Sequence, residues 1–275
     1  MLRIRAPASV EGRLRVFLES GRTGTRVGDL ESAGPLRIIR PFPLSEGWVL
    51  LQILTVGPGI LGGDRFRIEI HVGRGAKAVV VQQSATKVHR MPQGLRATQH
   101  VHLILEEGAE LEYYPGLTIP YPEAEYHQRT EASLSSGSRF GFVEIWAMGR
   151  DLRKEHLAFR RIVADLGVYV DGTPVYREAL HLDPTADPLD GTGLLEGARY
   201  AGSGFWRWGP AEPEFWEGDG VVLAAGRTGF GDLYLKALAR DGLSLRKRIE
   251  ALLASWRARW GLPPIGWGRY GSGWG

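Results

Sequence analysis

The sequence predicts a mainly β protein closed by a single C-terminal helix, and three observations carry that reading. Alternation of apolar and polar residues with period two is the commonest local pattern, as in Leu14, Val16 and Leu18 against Arg13, Arg15 and Phe17. Glycine (38) and proline (16) interrupt the chain at short intervals, which suits many turns between short elements. The only clear helical spacing comes last, after residue 244.

Taken in order, alternation predicts strands at 14–18, 36–40, 48–56, 66–72, 76–82, 98–105, 110–114, 126–134 and 139–148. Val72-Gly-Arg-Gly-Ala76 and Glu106-Glu-Gly-Ala109 read as tight antiparallel reversals, because glycine reaches positive φ without steric cost. Strands recur at 168–170, 175–182, 194–200, 220–224 and 233–239, with Val170-Asp-Gly-Thr173 as a strong hairpin turn. The helix is expected over 245–260, with Leu245, Ile249, Leu252, Leu253, Trp256 and Trp260 at helical spacing, Ser244 as its N-cap, and Gly261 and Pro263 ending it. Residues 265–275, rich in Gly and Trp, read as an irregular, mobile tail unless their two tryptophans dock. No fixed-period repeat marks a solenoid or propeller, and no linker divides 1–275, so it reads as a single domain.

Composition excludes several function classes. A hydrophobic fraction of 43%, with nine each of Trp, Tyr and Phe, describes a globular chain that can bury a core without staples. The net charge of +3 is spread along the sequence, without the basic tract of a nucleic-acid surface. There is no Cys, so disulfides and thiolate metal sites are impossible, leaving His, Asp, Glu and backbone for any metal. No apolar run reaches the roughly 20 residues of a membrane span, and charges at 2–20 stand where a signal peptide needs an apolar core. The expectation is a cytoplasmic protein with no membrane and no nucleic-acid partner.

The motifs favour a non-enzyme. Gly57-Pro-Gly-Ile-Leu-Gly62 matches the dinucleotide fingerprint in spacing, but a strand-like segment follows where a helix is needed, so the reading is a glycine-rich turn whose Asp64 accepts backbone hydrogen bonds. A P-loop, a His-Glu-x-x-His helix and a Gly-x-Ser-x-Gly elbow are all missing. His100 and His102 flank one residue of a strand, so both imidazoles share a face and could share a cation such as nickel. Two solvated surface histidines is the plainer reading, since two ligands rarely make a site. Glu144, in Phe142-Val-Glu-Ile-Trp146, and Glu178, in Tyr176-Arg-Glu-Ala-Leu180, are carboxylates inside apolar or aromatic strands and must be paired, hydrated or functional. Salt bridges to Arg150 or Arg177 are one explanation; a hydrated internal path that holds a divalent cation weakly is the other.

Several stretches, in order over most of the chain, resemble the UreD/UreH family of urease accessory proteins. They include Pro35-Leu-Arg37, Arg40-Pro-Phe42, Gly59-Ile-Leu-Gly-Gly-Asp-Arg65, Gln83-Ser-Ala-Thr-Lys-Val-His-Arg90, Leu111-Glu-Tyr-Tyr-Pro115, Gln128-Arg-Thr130, Glu144-Ile-Trp146, Gly149-Arg150 and Asp171-Gly-Thr-Pro174. Glu178-Ala-Leu-His-Leu-Asp183 and the Trp-bearing terminal helix continue the series, whereas 203–216 and the closing Pro263-Pro-Ile-Gly-Trp267 depart from it.

The resemblance implies stacked β-sheets with few helices, acting as a non-catalytic scaffold. It implies UreF, the GTPase UreG and apo-urease as partners, a homodimer within the accessory complex, and no tightly bound cofactor. Nickel is then transient cargo, and Asp64, Thr86, Lys87, Glu144 and Glu178 fall near a polar interior path, with His100 and His102 as weaker candidates. Thr86 and Lys87 are equally well read as strand-end hydrogen-bond and ion-pair partners. Two other readings stand beside it: a β-rich glycan hydrolase with Glu144 and Glu178 as its carboxylate pair, and a generic interaction module.

Overall fold

The computed structural model describes residues 9–266. In chain order the strands are β1 (Glu11–Gly21), β2 (Gly24–Ala33), β3 (Leu36–Ile38), β4 (Phe42–Pro43), β5 (Val49–Thr55), β6 (Arg65–Val72), β7 (Lys77–Gln82), β8 (Thr86–Val88) and β9 (Ala97–Leu105). They continue with β10 (Glu110–Pro120), β11 (Glu125–Leu134), β12 (Arg139–Ala147), β13 (Arg161–Val170), β14 (Thr173–Leu182), β15 (Tyr200–Arg207), β16 (Glu214–Gly218), β17 (Val221–Arg227) and β18 (Leu233–Ala239). Helix α1 (Gly242–Arg259) follows. The mainly β reading with one C-terminal helix holds, and the strands stack as in a β-solenoid.

From β5 to β13 the main strands alternate between two sheets. Sheet A runs β14-β13-β11-β9-β6-β1-β2, and sheet B runs β16-β17-β18-β15-β12-β10-β7-β5-β3. Within each sheet these successive rungs are parallel: Lys77 lies beside Glu110 and Glu110 beside Arg139 in sheet B, while Arg65, Thr98 and His127 follow one another in sheet A. The glycine turns at 73–75 and 106–108 are therefore corners between sheets, not antiparallel reversals. Gly75 and Gly108 do take positive φ, 68° and 70°, and the corners stack through backbone bonds, Gly73 N to Leu18 O, Glu106 N to Val72 O and Ser135 N to Leu105 O. The solenoid exists without sequence self-similarity because its rungs share a geometry, not a motif.

The two sheets differ in burial, and the sequence records it. Sheet A strands alternate buried and exposed, as in β1, because one face meets water. The central strands of sheet B read as continuous apolar runs, β7 (Lys77-Ala-Val-Val-Val-Gln82) among them, because both faces are covered, whereas β16 to β18 at its far edge alternate. One core fills the space between the sheets, with Leu14, Val16, Ile68, Leu103, Phe142 and Trp146. The other lies between sheet B and α1, with Leu50, Val79, Tyr114, Leu245, Ile249 and Trp256.

Helix α1 starts one turn earlier than its apolar spacing suggests. Asp241, in an extended conformation, caps it by accepting a hydrogen bond from Ser244 N at 2.7 Å, so Ser244 is the third helical residue, not the cap. Gly261, at φ 69°, ends the helix as expected, and Leu262 N bonds back to Arg257 O. Arg257 is 2% exposed and donates to the fully buried Glu112 of β10 and to Pro263 O, which ties sheet, helix and following segment together. Burial pulls its guanidinium down only to about 10, so it stays charged at neutral pH. Ile265 is buried against the helix-side core rather than in a mobile tail, while Trp267 and Trp274 lie outside the described residues.

Three further expectations change. The hairpin Val170-Asp-Gly-Thr173 forms, with both central residues at positive φ, but its first strand begins at Arg161. Residues 194–199 are turns whose Leu195 plugs the core, and the strand begins at Tyr200. That strand, β15, hides behind glycines: the Trp206 ring lies so close to Gly141 and Gly204 that a Cβ on either would sit within 2.7 Å of it. Strand β2 carries no alternation because almost all of it is exposed. Among the described residues, no helix is long and apolar enough to cross a membrane.

The Glu112–Arg257 pair yields a stability prediction. Arg257→Ala strands a buried carboxylate and is expected to cost roughly 3–5 kcal/mol, measured by urea unfolding; a loss below about 1 kcal/mol would show that the pair does not hold the helix.

Candidate functional site

Strand β12 presents Phe140, Phe142, Glu144 and Trp146 to the space between the sheets. Three of these fill the core; Glu144 carries a carboxylate into it, 7% exposed. Sheet B register sets Glu144 beside Ser203 of β15 and Ser203 beside Lys236 of β18, so a polar row crosses three strands. Sheet A answers from β11, whose buried Tyr126, Gln128 and Thr130 share one face, and from β14, which supplies Tyr176 and Glu178.

Hydrogen bonds join the two sides. Gln128 Nε2 donates to Glu144 Oε2 at 2.8 Å. Tyr176 OH donates to Glu178 Oε2 at 2.7 Å, and Lys236 Nζ donates to Glu178 Oε1. The salt bridges to Arg150 or Arg177 anticipated for the glutamates are not made: Arg150 pairs with Glu155 at 2.5 Å, and Arg177 faces Tyr169. Glu144 instead meets a neutral amide, and Glu178 meets a lysine from the opposite sheet.

Burial pushes the Glu144 carboxyl up to about 7, and the charge of Glu178 adds to the rise. The Trp146 indole, Gln128 and Lys236 pull the other way. Trp146 Nε1 makes no well-formed hydrogen bond, and the buried Thr130 hydroxyl likewise has no protein partner. Burial also raises the Tyr113 and Tyr126 phenols far above their ordinary range, so both stay neutral.

Glu178 and Lys236 border a cavity of about 610 Å³, lined also by Trp146, Leu180, Leu195 and Ser203, among others. The cavity lies where β14 and its antiparallel neighbours complete the solenoid, beside the irregular segment 183–199. Its wall is mostly aliphatic, with Glu178, Lys236 and His181 as its ionisable side chains. A polar seam thus runs from Ser203 in the cavity wall to Glu144 beside it in register.

The other sequence candidates lie elsewhere. Asp64 is buried and acts within its turn, accepting from Val10 N at 2.9 Å and Leu61 N at 2.8 Å, the backbone role read for the glycine-rich segment. Thr86 and Lys87 line a separate, small cavity with Gly57, Gly59 and Gln82. His100 and His102 share the outer, solvent face of sheet A, beside Arg67, Arg129, Glu69 and Glu131 in register. His102 Nε2 is 3.3 Å from Ser133 Oγ. Among the described residues, no three His, Asp or Glu side chains converge in a way that could hold a metal ion.

Sequence reasoning missed Lys236 as the partner of Glu178 and Gln128 as the partner of Glu144. Alternation could have placed Gln128 on the buried face with Tyr126 and Thr130. Nothing local marks Lys236, which faces a strand distant in sequence.

A family model described as UreD urease accessory protein matches residues 10–267. The chain belongs to the UreD family. It is 40% identical over 242 residues to urease accessory protein UreD 1 of Synechococcus sp. (strain JA-3-3Ab), covering 88% of this chain and 89% of that one. It is 34% identical over 212 residues to the UreD of Deinococcus radiodurans, covering 75% and 76%. It is 27% identical over 252 residues to the UreH of Helicobacter pylori (strain J99), covering 88% and 95%. Membership in UreD places the chain among accessory proteins rather than catalysts.

The raised Glu144 acid implies a pH dependence of a UreD-family fold. A carboxyl protonated more readily when folded than when unfolded stabilises below its ordinary value near 4.5, and that stability is lost as pH rises through about 7. Glu144→Gln removes the effect. Relative to the parent, the variant is expected to gain about 3 kcal/mol between pH 4.5 and 8, read from urea unfolding at both pH values; a constant difference would show that Glu144 is not held in a desolvated site.

Proposed function

We propose that this chain is a non-catalytic scaffold that passes nickel toward apo-urease in the cytoplasm, with UreF and UreG as partners and a homodimer within the accessory complex. The observation that carries the reading is the placement of Glu144 and Glu178 in one polar seam between the sheets, with Glu178 lining a half-open cavity and Glu144 buried behind it. Oxygen donors few in number hold a divalent cation weakly, which suits cargo that must leave. Glu178, with one oxygen toward a phenol and one toward an ammonium, is the acceptor nearest the cavity wall. Glu144 lies deeper, where burial keeps its proton exchangeable near neutral pH.

The glycan-hydrolase reading draws little support. Both oxygens of Glu178 are engaged within the protein, and Glu144 is buried and does not line the cavity that Glu178 lines, an arrangement that does not favour a carboxylate pair flanking a sugar.

The experiment is co-expression of the tagged chain with the UreF-like and UreG-like proteins and urease subunits of the same genome, followed by pull-down and a nickel-dependent urease assay. Co-purification, with activity lost when the chain is omitted, is expected; full activity without it would sink the proposal. Within that system Glu178→Ala is expected to leave assembly intact and to lower activation by roughly tenfold, the scale seen when groups that support metal ligands are removed. Equal activation by mutant and parent would remove Glu178 from the path.

A further inference from the structure

Lys236 is the feature of the seam that a cation path does not itself require. An ammonium is repelled by the cargo, yet this one sits on the carboxylate nearest the cavity. It reaches there from the opposite sheet: Lys236 belongs to β18 of sheet B and Glu178 to β14 of sheet A, and both are sheet residues whose backbones are held in register. The Lys236 side chain is about half exposed, 52%, whereas that of Glu178 is 10% exposed. The lysine can therefore swing into water at small cost, while the carboxylate cannot leave the seam.

We propose that Lys236 is a built-in competitor of the metal, an internal cation that occupies Glu178 in the free protein and must be displaced before a divalent ion binds there. The inference rests on the nickel reading and adds the residue that sets the affinity. Three features fit displacement rather than a fixed clasp. Glu178 keeps a second, neutral partner in Tyr176, whose hydroxyl can stay bonded when the ammonium leaves. Glu178 also lines the cavity, so an incoming hydrated cation can reach it from that side. Ser203 lies between Lys236 and Glu144 in register, so the polar row continues inward from the point the lysine guards.

The competition has a thermodynamic sign. With Lys236 in place, binding at Glu178 exchanges one cation for another, and the observed affinity is lowered by the strength of the lysine contact. Without it, the seam gains one negative charge and the metal meets an unoccupied carboxylate. An arginine would compete as lysine does, being cationic at any working pH.

The test is nickel binding to the purified full chain, by calorimetric titration with a nickel salt alone, for the parent, Lys236→Gln, Lys236→Arg, Glu178→Gln and the double variant Lys236→Gln/Glu178→Gln, with melting temperatures recorded for each. Lys236→Gln is expected to bind nickel roughly tenfold or more tightly than the parent, the usual range for coupling between two ligands. Lys236→Arg should stay near the parent, and the double variant should lose the gain. A Lys236→Gln protein that melts lower but binds nickel like the parent, while Glu178→Gln weakens binding, would overturn the competitor role and leave the nickel path standing. Binding that ignores Glu178 in both lysine backgrounds would overturn the competitor and the path at this residue together.

Discussion

The central strands of sheet B are covered on both faces, so each polar group on β7, β10 and β12 that points into a core must find a partner inside the protein. The two carboxylates that these strands bury meet that demand in opposite ways. Glu112, on the helix side, receives a full positive charge from Arg257, which is itself held by Pro263 O. Glu144, on the sheet side, receives only an amide from Gln128, and its charged form is disfavoured. The first arrangement locks α1 to the sheet. The second leaves a carboxyl free to exchange its proton, in a position where Leu or Gln would serve folding better.

The solenoid route of the chain explains how that second arrangement arises. Because successive strands go to opposite sheets, residues near in sequence point into the same interior from facing walls: Gln128 from β11 and Glu144 from β12 meet within a single rung. Glu178 and Lys236 are brought in differently. They come from the antiparallel strands that follow the last rung, and they meet only because β14 extends sheet A while β15 and β18 extend sheet B. The cavity sits at this change of strand order, where the irregular segment 183–199 replaces a further rung and supplies Leu189 and Leu195 as its apolar wall.

Much of this was legible from period-two alternation alone, since it records which residues share a face. It placed β6, β7, β9, β11 and β12 within a residue or two, and it isolated Glu144 and Glu178 as carboxylates in apolar surroundings. It could not record which strands are neighbours. Hence the corners at 73–75 and 106–108 read as hairpins, and Arg150 and Arg177, close in sequence, stood in for Gln128 and Lys236. Strand β15 was hidden by packing chemistry: a glycine at 204 looks like a loop residue until the Trp206 ring is seen to occupy the space a side chain would need. The N-cap was misread for a related reason, because Ser244 and Asp241 are both good caps and only the backbone decides between them.

On the proposed nickel reading, the seam combines two requirements that ordinarily conflict: a path for a divalent ion needs negative groups in the interior, and a stable fold needs such groups neutralised. Burial favours the protonated form of Glu144 and an ammonium pairs with Glu178, and both the proton and the ammonium are of a kind that can leave. A fixed arginine, as at Glu112, would have compensated the charge more permanently. The difference between the two faces of sheet B is therefore one of exchangeability: permanent compensation where the helix is anchored, replaceable compensation where the interior meets the cavity.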